Sequence, residues 1–210
     1  MESDFSPIQN SQSEIFIIES PSDGSEENCL LEGKILYDLL KSLKKNPRYI
    51  FFEDKDQLSY ISEAFRKSNY RYLHISTHGN QKEIILKNQK ISYDKFASYF
   101  SGNLKLRRVF SSAGNLENEK FREALCNADN KGMHSVLTPV ENMLLGEAIS
   151  FWSMFYVSLL NESRSTIKNC IIDKNLECFK KLLSTEMFFS SYNPAQNNWI
   201  VKTYKSELCR

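Results

Sequence analysis

The chain has 210 residues, of which 41% are apolar and 25% are charged, and its formal net charge is +1. This length allows one ordinary domain with a sizeable core, and the dispersed basic residues argue against nucleic acid or an acidic membrane as a partner. Five cysteines without CxxC spacing indicate reduced thiols rather than a disulfide framework. The N-terminus is polar and acidic, which is not typical of a signal peptide, so we expect a cytoplasmic protein.

Apolar runs alternate with helical periodicity along the first third of the chain. The predicted strands are Glu14–Ser20, Arg48–Asp54 and Tyr70–Gly79, and the predicted helices between them cover about Leu30–Lys44 and Asp56–Ser68. This order of strand, helix, strand, helix and strand indicates a parallel sheet with helices on its faces.

The pattern changes after Gly79. A small hairpin turning at Lys87–Gln89 is expected first, then a short helix at Tyr93–Phe100 and a strand at Leu106–Ser112. The remaining predicted elements are a helix at Glu117–Asp129, a strand at His134–Val140, a long buried helix at about Glu141–Asn161, an amphipathic stretch within Ser165–Glu186 and two short strands around Asn193–Pro194. The predicted fold class is α/β, with a mostly parallel central sheet, a flexible tail at 1–13 and one domain at 14–210.

Two of the three histidines stand together in "HISTHG". In a strand, residues four apart lie about 13 Å from each other, so His74 and His78 cannot share a zinc ion, and we predict neither a metal nor a cofactor. His74 is expected to be a hydrogen-bonded core histidine. His78 ends its strand before Gly79, where a histidine either acts as a general base or simply caps the loop.

An ordered set of short motifs resembles the CHAT-type peptidases of the caspase–separase clan. They are Ile18–Pro21, His74–Gly79, Ile91–Phe96, Val136–Pro139 and the aromatic pair Phe155–Tyr156. The resemblance covers most of the chain. It implies a caspase-like three-layer sandwich and a cysteine endopeptidase that uses a His–Cys dyad.

By this resemblance His78 would be the general base, and the backbone N–H of Gly79 would contribute to an oxyanion hole. The family has a cysteine after two small residues, whereas this chain reads "FSSAGN". One match puts Ala113 at the nucleophile position and the other puts Gly114 there. We favour Ala113, because Ser111 and Ser112 then fill the two small-residue positions.

Neither alanine nor glycine can attack a carbonyl, so we expect the chain to be inactive as a cysteine peptidase. An engineered Cys→Ala substitution is the first explanation and a natural non-catalytic relative is the second. Ser112 is not expected to replace the thiol, since successive strand residues point to opposite faces and Ser112 would then turn away from His78.

The resemblance also points to substrate-binding residues around the nucleophile position: Glu19, Asp23, Ser112 and Gly114. The loop after the first strand is acidic, and an acidic pocket would favour Lys or Arg in the substrate. The alternative is an ordinary solvated acidic loop.

Two functions remain open from the sequence. The first is an endopeptidase that cleaves a protein substrate under the control of a protein activator, by analogy in a bacterial defence or regulated cell-death system. The second is a non-catalytic module that holds a peptide or partner. A doubly wound protein that binds a small anion is a third possibility, but no phosphate-binding motif supports it.

Overall fold

The structure is a computed structural model that describes residues 12–21, 31–87, 89–162 and 167–208. The strands are β1 (Gln12–Glu19), β2 (Arg48–Phe51), β3 (Tyr70–Ser76), β4 (His78–Gly79), β5 (Glu83–Ile85), β6 (Lys90–Ser92), β7 (Arg108–Ser111), β8 (Ser135–Pro139), β9 (Met187–Asn193) and β10 (Asn198–Tyr204). The helices are α1 (Glu32–Ser42), α2 (Leu58–Ser68), α3 (Tyr93–Tyr99), α4 (Asn118–Leu125), α5 (Leu145–Glu162) and α6 (Asn169–Phe179).

Within the described residues, seven strands form a central sheet in the order β10-β9-β8-β7-β3-β1-β2. The five strands from β8 to β2 are parallel, whereas β9 and β10 are antiparallel to their neighbours. A second, small sheet has the order β4-β5-β6. The mostly parallel α/β sheet predicted from the sequence is therefore confirmed.

Both faces of the central sheet are covered by helices. One apolar cluster joins the sheet to α2, α3 and α4, and the other joins it to α1, α5 and α6. In β1, Phe16 and Ile18 belong to the first cluster, whereas Ile15 and Ile17 belong to the second. The strand is continuously apolar because alternate side chains enter two different cores.

The long apolar segment predicted to be a buried helix is α5, whose Phe151, Trp152, Phe155 and Tyr156 are all buried. Among the described residues, no helix combines the length and apolar character needed to cross a membrane. Two boundaries differ from prediction. β1 begins inside the predicted tail, whose residues 1–11 lie outside the described part. The third strand ends at Ser76, and His78–Gly79 pairs instead with the hairpin strand β5.

A buried arginine fixes the chain at the amino edge of the sheet. The guanidinium of Arg108 donates to Ser135 Oγ at 2.7 Å, to Asn169 Oδ1 at 2.6 Å and to the Ile167 carbonyl at 2.9 Å. Burial lowers the pKa of Arg108 to about 10, so the group still carries its charge at neutral pH. This charge acts on His134, which precedes β8.

We expect His134 to make the fold less stable in mild acid. Burial, and then the charges of Arg108 and Arg71, lower the pKa of His134 from 6.5 to about 4. Between pH 6.5 and 4 the unfolded chain therefore binds more protons than the folded chain, so stability present above pH 6.5 is lost as the pH falls. Because the side chain is only partly buried, we expect a loss of roughly 1 to 2 kcal/mol.

Urea unfolding of the wild type and of His134→Gln at pH 7 and pH 5 measures this contribution. The variant should lose less stability than the wild type over that interval. An equal loss for His134→Gln would show that His134 does not titrate in this way.

Candidate functional site

A cavity of about 180 Å³ lies where the carboxyl ends of β1, β3 and β7 meet. In parallel sheets this edge, beside the strand where the order reverses, is the usual place for a ligand. Its polar lining is Glu19, Ser20, Glu32, Ser76, Thr77, His78, Ser112 and Asn142, and its apolar lining is Pro21, Leu31, Met143, Leu145 and Ala148. The cavity therefore lies on the side of the sheet covered by α1 and α5.

Glu19 ends β1 and is held by four hydrogen-bond donors. Its Oε1 accepts from the Gly33 N–H at 2.8 Å and from the Ser76 hydroxyl at 3.0 Å. Its Oε2 accepts from the Lys34 N–H at 3.1 Å and from the Tyr49 hydroxyl at 2.8 Å. Burial and the charge of Glu19 raise the pKa of Tyr49, which therefore stays a phenol and a donor.

The Gly33 and Lys34 amides lie in the first turn of α1, where a helix presents unsatisfied N–H groups and attracts an anion. Glu19 occupies that position with its own carboxylate. The resemblance gave Glu19 as a substrate-binding residue in the acidic loop, with an ordinary solvated loop as the alternative. Glu19 is only 3% exposed and is a hydrogen-bonded anchor in the cavity wall. Asp23, the other acidic residue predicted to bind substrate, lies outside the described residues.

Glu32 opens α1 and is the centre of a second buried network. Its Oε1 accepts from the Ser112 hydroxyl at 2.5 Å and lies 3.1 Å from His74 Nε2. The other ring nitrogen of His74, Nδ1, lies 2.8 Å from the hydroxyl of Tyr156 on α5. Burial and the charge of Glu32 raise the pKa of Tyr156, so it stays a phenol that shares a hydrogen bond with Nδ1. Because a carboxylate only accepts, the bond between His74 Nε2 and Glu32 places a proton on Nε2.

His74 is therefore the hydrogen-bonded core histidine that the sequence predicted. It is fully buried and stacks edge-on against Trp152, with ring centroids 4.9 Å apart. Glu32 and Tyr156 were not identified as site residues. No linear signal marks Glu32, because its partners, His74 on β3 and Ser112 just after β7, meet it only in the folded chain.

Ala113 and His78 have different surroundings. Ala113 is fully buried in the cluster shared with α2, α3 and α4, whereas His78 is exposed and lines the cavity on the other side of the sheet. A thiol at position 113 would extend into that core. Ser112 lines the same cavity as His78, contrary to the expectation that it would turn away. The choice of Ala113 as the nucleophile position stays a prediction from the resemblance: the residue is fully buried, and its Cβ lies next to Gly79, the neighbour of His78.

Gly114, the other candidate nucleophile position, lies beyond β7, which ends at Ser111. A Cβ atom added there would overlap the carbonyl of Glu141 and lie 2.6 Å from Asn142 Cα. These are backbone atoms, and the segment is fixed by a 3.2 Å hydrogen bond from the Asn115 N–H to the Val140 carbonyl. The 141–142 segment thus occupies the place of any side chain at position 114.

Gly79, the predicted oxyanion-hole residue, is also a position of close packing. A Cβ atom there would overlap the Leu116 side chain and lie 3.4 Å from Ala113 Cβ. Glycine at position 79 lets β4 approach the end of β7 closely. The direction in which a side chain would extend from Gly79 points to the core around Ala113 and Leu116, and Gly79 does not line the cavity.

The described residues contain no group of three or more His, Cys, Asp or Glu side chains placed to hold a metal ion. Cys126, Cys170 and Cys178 are free thiols, and none of them lines the cavity. No protein-family model matches the chain, and a search of curated proteins finds no match.

Proposed function

We propose that this chain is a non-catalytic binding module of caspase-like architecture, whose cavity at the carboxyl edge of the sheet holds a side chain of a peptide or partner protein. The ordered motifs and the strand order β2-β1-β3-β7-β8 support the caspase-like assignment. By analogy with the CHAT-type peptidases that the motifs resemble, the partner belongs to a bacterial defence or regulated cell-death system in the cytoplasm.

The observation that carries this proposal is the packing at Gly114. A His–Cys dyad needs an accessible thiol beside His78. Of the two candidate nucleophile positions, Ala113 is fully buried, and the other is Gly114. Its side-chain space is filled by the backbone of Glu141 and Asn142. Such packing fits a chain that has long functioned without a nucleophile better than an active enzyme with one altered side chain.

Ser112 does not supply a substitute. In a catalytic triad the serine contacts one nitrogen of the base and the acid holds the other. Here Ser112 and Glu32 lie on the same side of His74, with Oγ 3.5 Å from Nε2, and Tyr156 holds Nδ1. The Ser112 proton is donated to Glu32, and His74 Nε2 carries a proton of its own, so the histidine has no free nitrogen to act as a base.

Filling the cavity should weaken peptide binding. Ala148 lines the cavity from α5, and Ala148→Leu adds three carbon atoms there. Peptides selected from a random heptapeptide library against the wild type should bind this variant at least about tenfold more weakly, because the bound side chain loses its apolar burial. Fluorescence anisotropy with a labelled peptide measures the affinity.

The matched control is Ser150→Leu, which adds an exposed leucine to the same helix and should leave the affinity unchanged. The wild type should also show no His78-dependent labelling by an electrophilic peptide probe. Failure to select any peptide, equal affinity for the two leucine variants, or labelling that His78→Ala removes would each contradict a non-catalytic binding module.

A further inference from the structure

Building on the proposed function, we infer that the side chain held in the cavity is a positively charged group on an aliphatic stem, namely an arginine or lysine of a peptide segment. The cavity has two carboxylates at its wall, Glu19 and Glu32. Every hydrogen bond given to Glu19 comes from a neutral backbone amide or hydroxyl. Glu32 receives its bonds from a hydroxyl and from the imidazole of His74.

No lysine or arginine of the described residues lines this cavity. The nearest lysine along α1, Lys34, extends away and pairs with Asp38 at 2.7 Å on the surface. Of the two carboxylates, the imidazole of His74 contacts Glu32 alone, and Glu19 is bound only by neutral groups, two of them amides at the start of α1, so no side-chain cation of the described residues pairs with Glu19. Apolar walls focus the field of such a carboxylate, so a cation gains more here than at an open surface.

A second observation also indicates a ligand. Thr77 lines the same cavity and is 5% exposed, yet its hydroxyl makes no hydrogen bond within the described part of the chain. A buried hydroxyl without a partner is costly, and native proteins generally satisfy such groups. A guanidinium or ammonium group, with several N–H donors, can satisfy a hydroxyl and a carboxylate at the same time.

The size and lining of the cavity match one long side chain. Its volume, about 180 Å³, is smaller than the roughly 300 to 1,000 Å³ of sites that enclose whole small molecules. Pro21, Leu31, Met143, Leu145 and Ala148 provide apolar surface for the methylene stem, while the carboxylates and hydroxyls receive the charged end. An anionic ligand is disfavoured, because Glu19 already occupies the amides of α1 that would bind it.

The test compares peptides that differ only in charge. In the sequence chosen by library selection, the anchoring residue is replaced in turn by arginine, citrulline, lysine and norleucine. Citrulline has nearly the shape of arginine without its charge. We expect the arginine and lysine peptides to bind about ten- to a hundredfold more tightly than their neutral counterparts, with the difference falling as salt is added.

Glu32→Gln should remove most of this preference, since it keeps the shape and the acceptor of the side chain but not its charge. Glu119→Gln, at an exposed position on α4, is the matched control and should not alter it. The comparison of arginine and citrulline peptides on the wild type remains decisive if Glu32→Gln proves unstable.

The outcomes separate the two proposals. Peptides that bind in the cavity with no preference for a positive charge would overturn the cationic assignment and leave the binding module intact. A complete absence of peptide binding would overturn both. Agmatine, a free guanidinium on an aliphatic stem, should bind more weakly than the arginine peptide, and tighter binding of agmatine would overturn the assignment to a peptide.

Discussion

We expect Gly114→Cys to destabilise the fold by about 3 kcal/mol without creating a reactive thiol. The new Cβ would overlap the Glu141 carbonyl and crowd Asn142 Cα, so the backbone after β8 must move before any side chain fits. The overlapping atoms belong to the backbone of Glu141 and Asn142, which cannot move aside as a flexible side chain can. The preceding carbonyl, that of Val140, accepts from Asn115, and the Val140 amide donates to Glu186 at 2.9 Å.

Urea unfolding measures the loss of stability, and an electrophilic peptide probe measures reactivity. Gly146→Ala is the matched control, because nothing lies within 4 Å of its added Cβ and it should stabilise α5 by about 0.5 to 1 kcal/mol. Ala113→Cys should fold and stay unlabelled, since its thiol would be buried. A stable Gly114→Cys protein with a thiol whose reactivity depends on His78 would instead restore the peptidase hypothesis.

Glu19→Ala should cost roughly 3 to 5 kcal/mol of folding stability. The substitution leaves two amides at the start of α1 and two hydroxyls without their shared acceptor, in a place where little water can replace it. It also removes the negative charge that the N-terminus of the helix favours. The same experiment, unfolding in urea at pH 7, gives the value.

Glu19→Gln should cost about half as much, because the amide keeps one acceptor oxygen but turns an NH₂ group toward existing donors. Glu53→Ala is the control of equal size, and it should cost less than about 1 kcal/mol because Glu53 pairs with Lys87 at a half-exposed site. If Glu19→Ala were no worse than Glu53→Ala, Glu19 would behave as a residue of a solvated acidic loop, the alternative that the sequence left open.

Much of the architecture was accessible from the sequence because apolar runs and helical periodicity are local signals. Each predicted strand of the central sheet has a counterpart within a few residues of its expected position. The break at Thr77 was missed. It depends on the pairing of His78–Gly79 with β5, which no property of "HISTHG" reveals.

The face on which Ala113 lies could not be determined from the sequence, and the reason is physical. In a sheet covered on both sides, Val109 and Phe110 are equally apolar, although they enter different cores. In a half-exposed strand, alternating polar and apolar residues indicate which face is buried. A buried parallel strand is apolar throughout, so its sequence does not distinguish the two faces. The core that Ala113 enters could therefore be assigned only from the packing of the helices.

The network around Glu32 was inaccessible for a different reason. Its members come from α1, β3, β7 and α5, and the contact between Ser112 and Glu32 joins residues 80 positions apart. Charge and hydroxyl content in the sequence could suggest an acidic site, as the loop after the first strand did, but not which acids the fold would bury.

The carboxylate of Glu19 has one further consequence, for competition. A ligand that belongs to the chain never dissociates into bulk solvent, so its effective concentration at the start of α1 is far above that of any free metabolite. Phosphate, nucleotides and acidic peptides in the cell would have to displace an anion that is always present. The amides at the start of α1 are thus permanently occupied by Glu19. Only the part of the crevice beside Glu32 and Ser112 remains open to an incoming molecule.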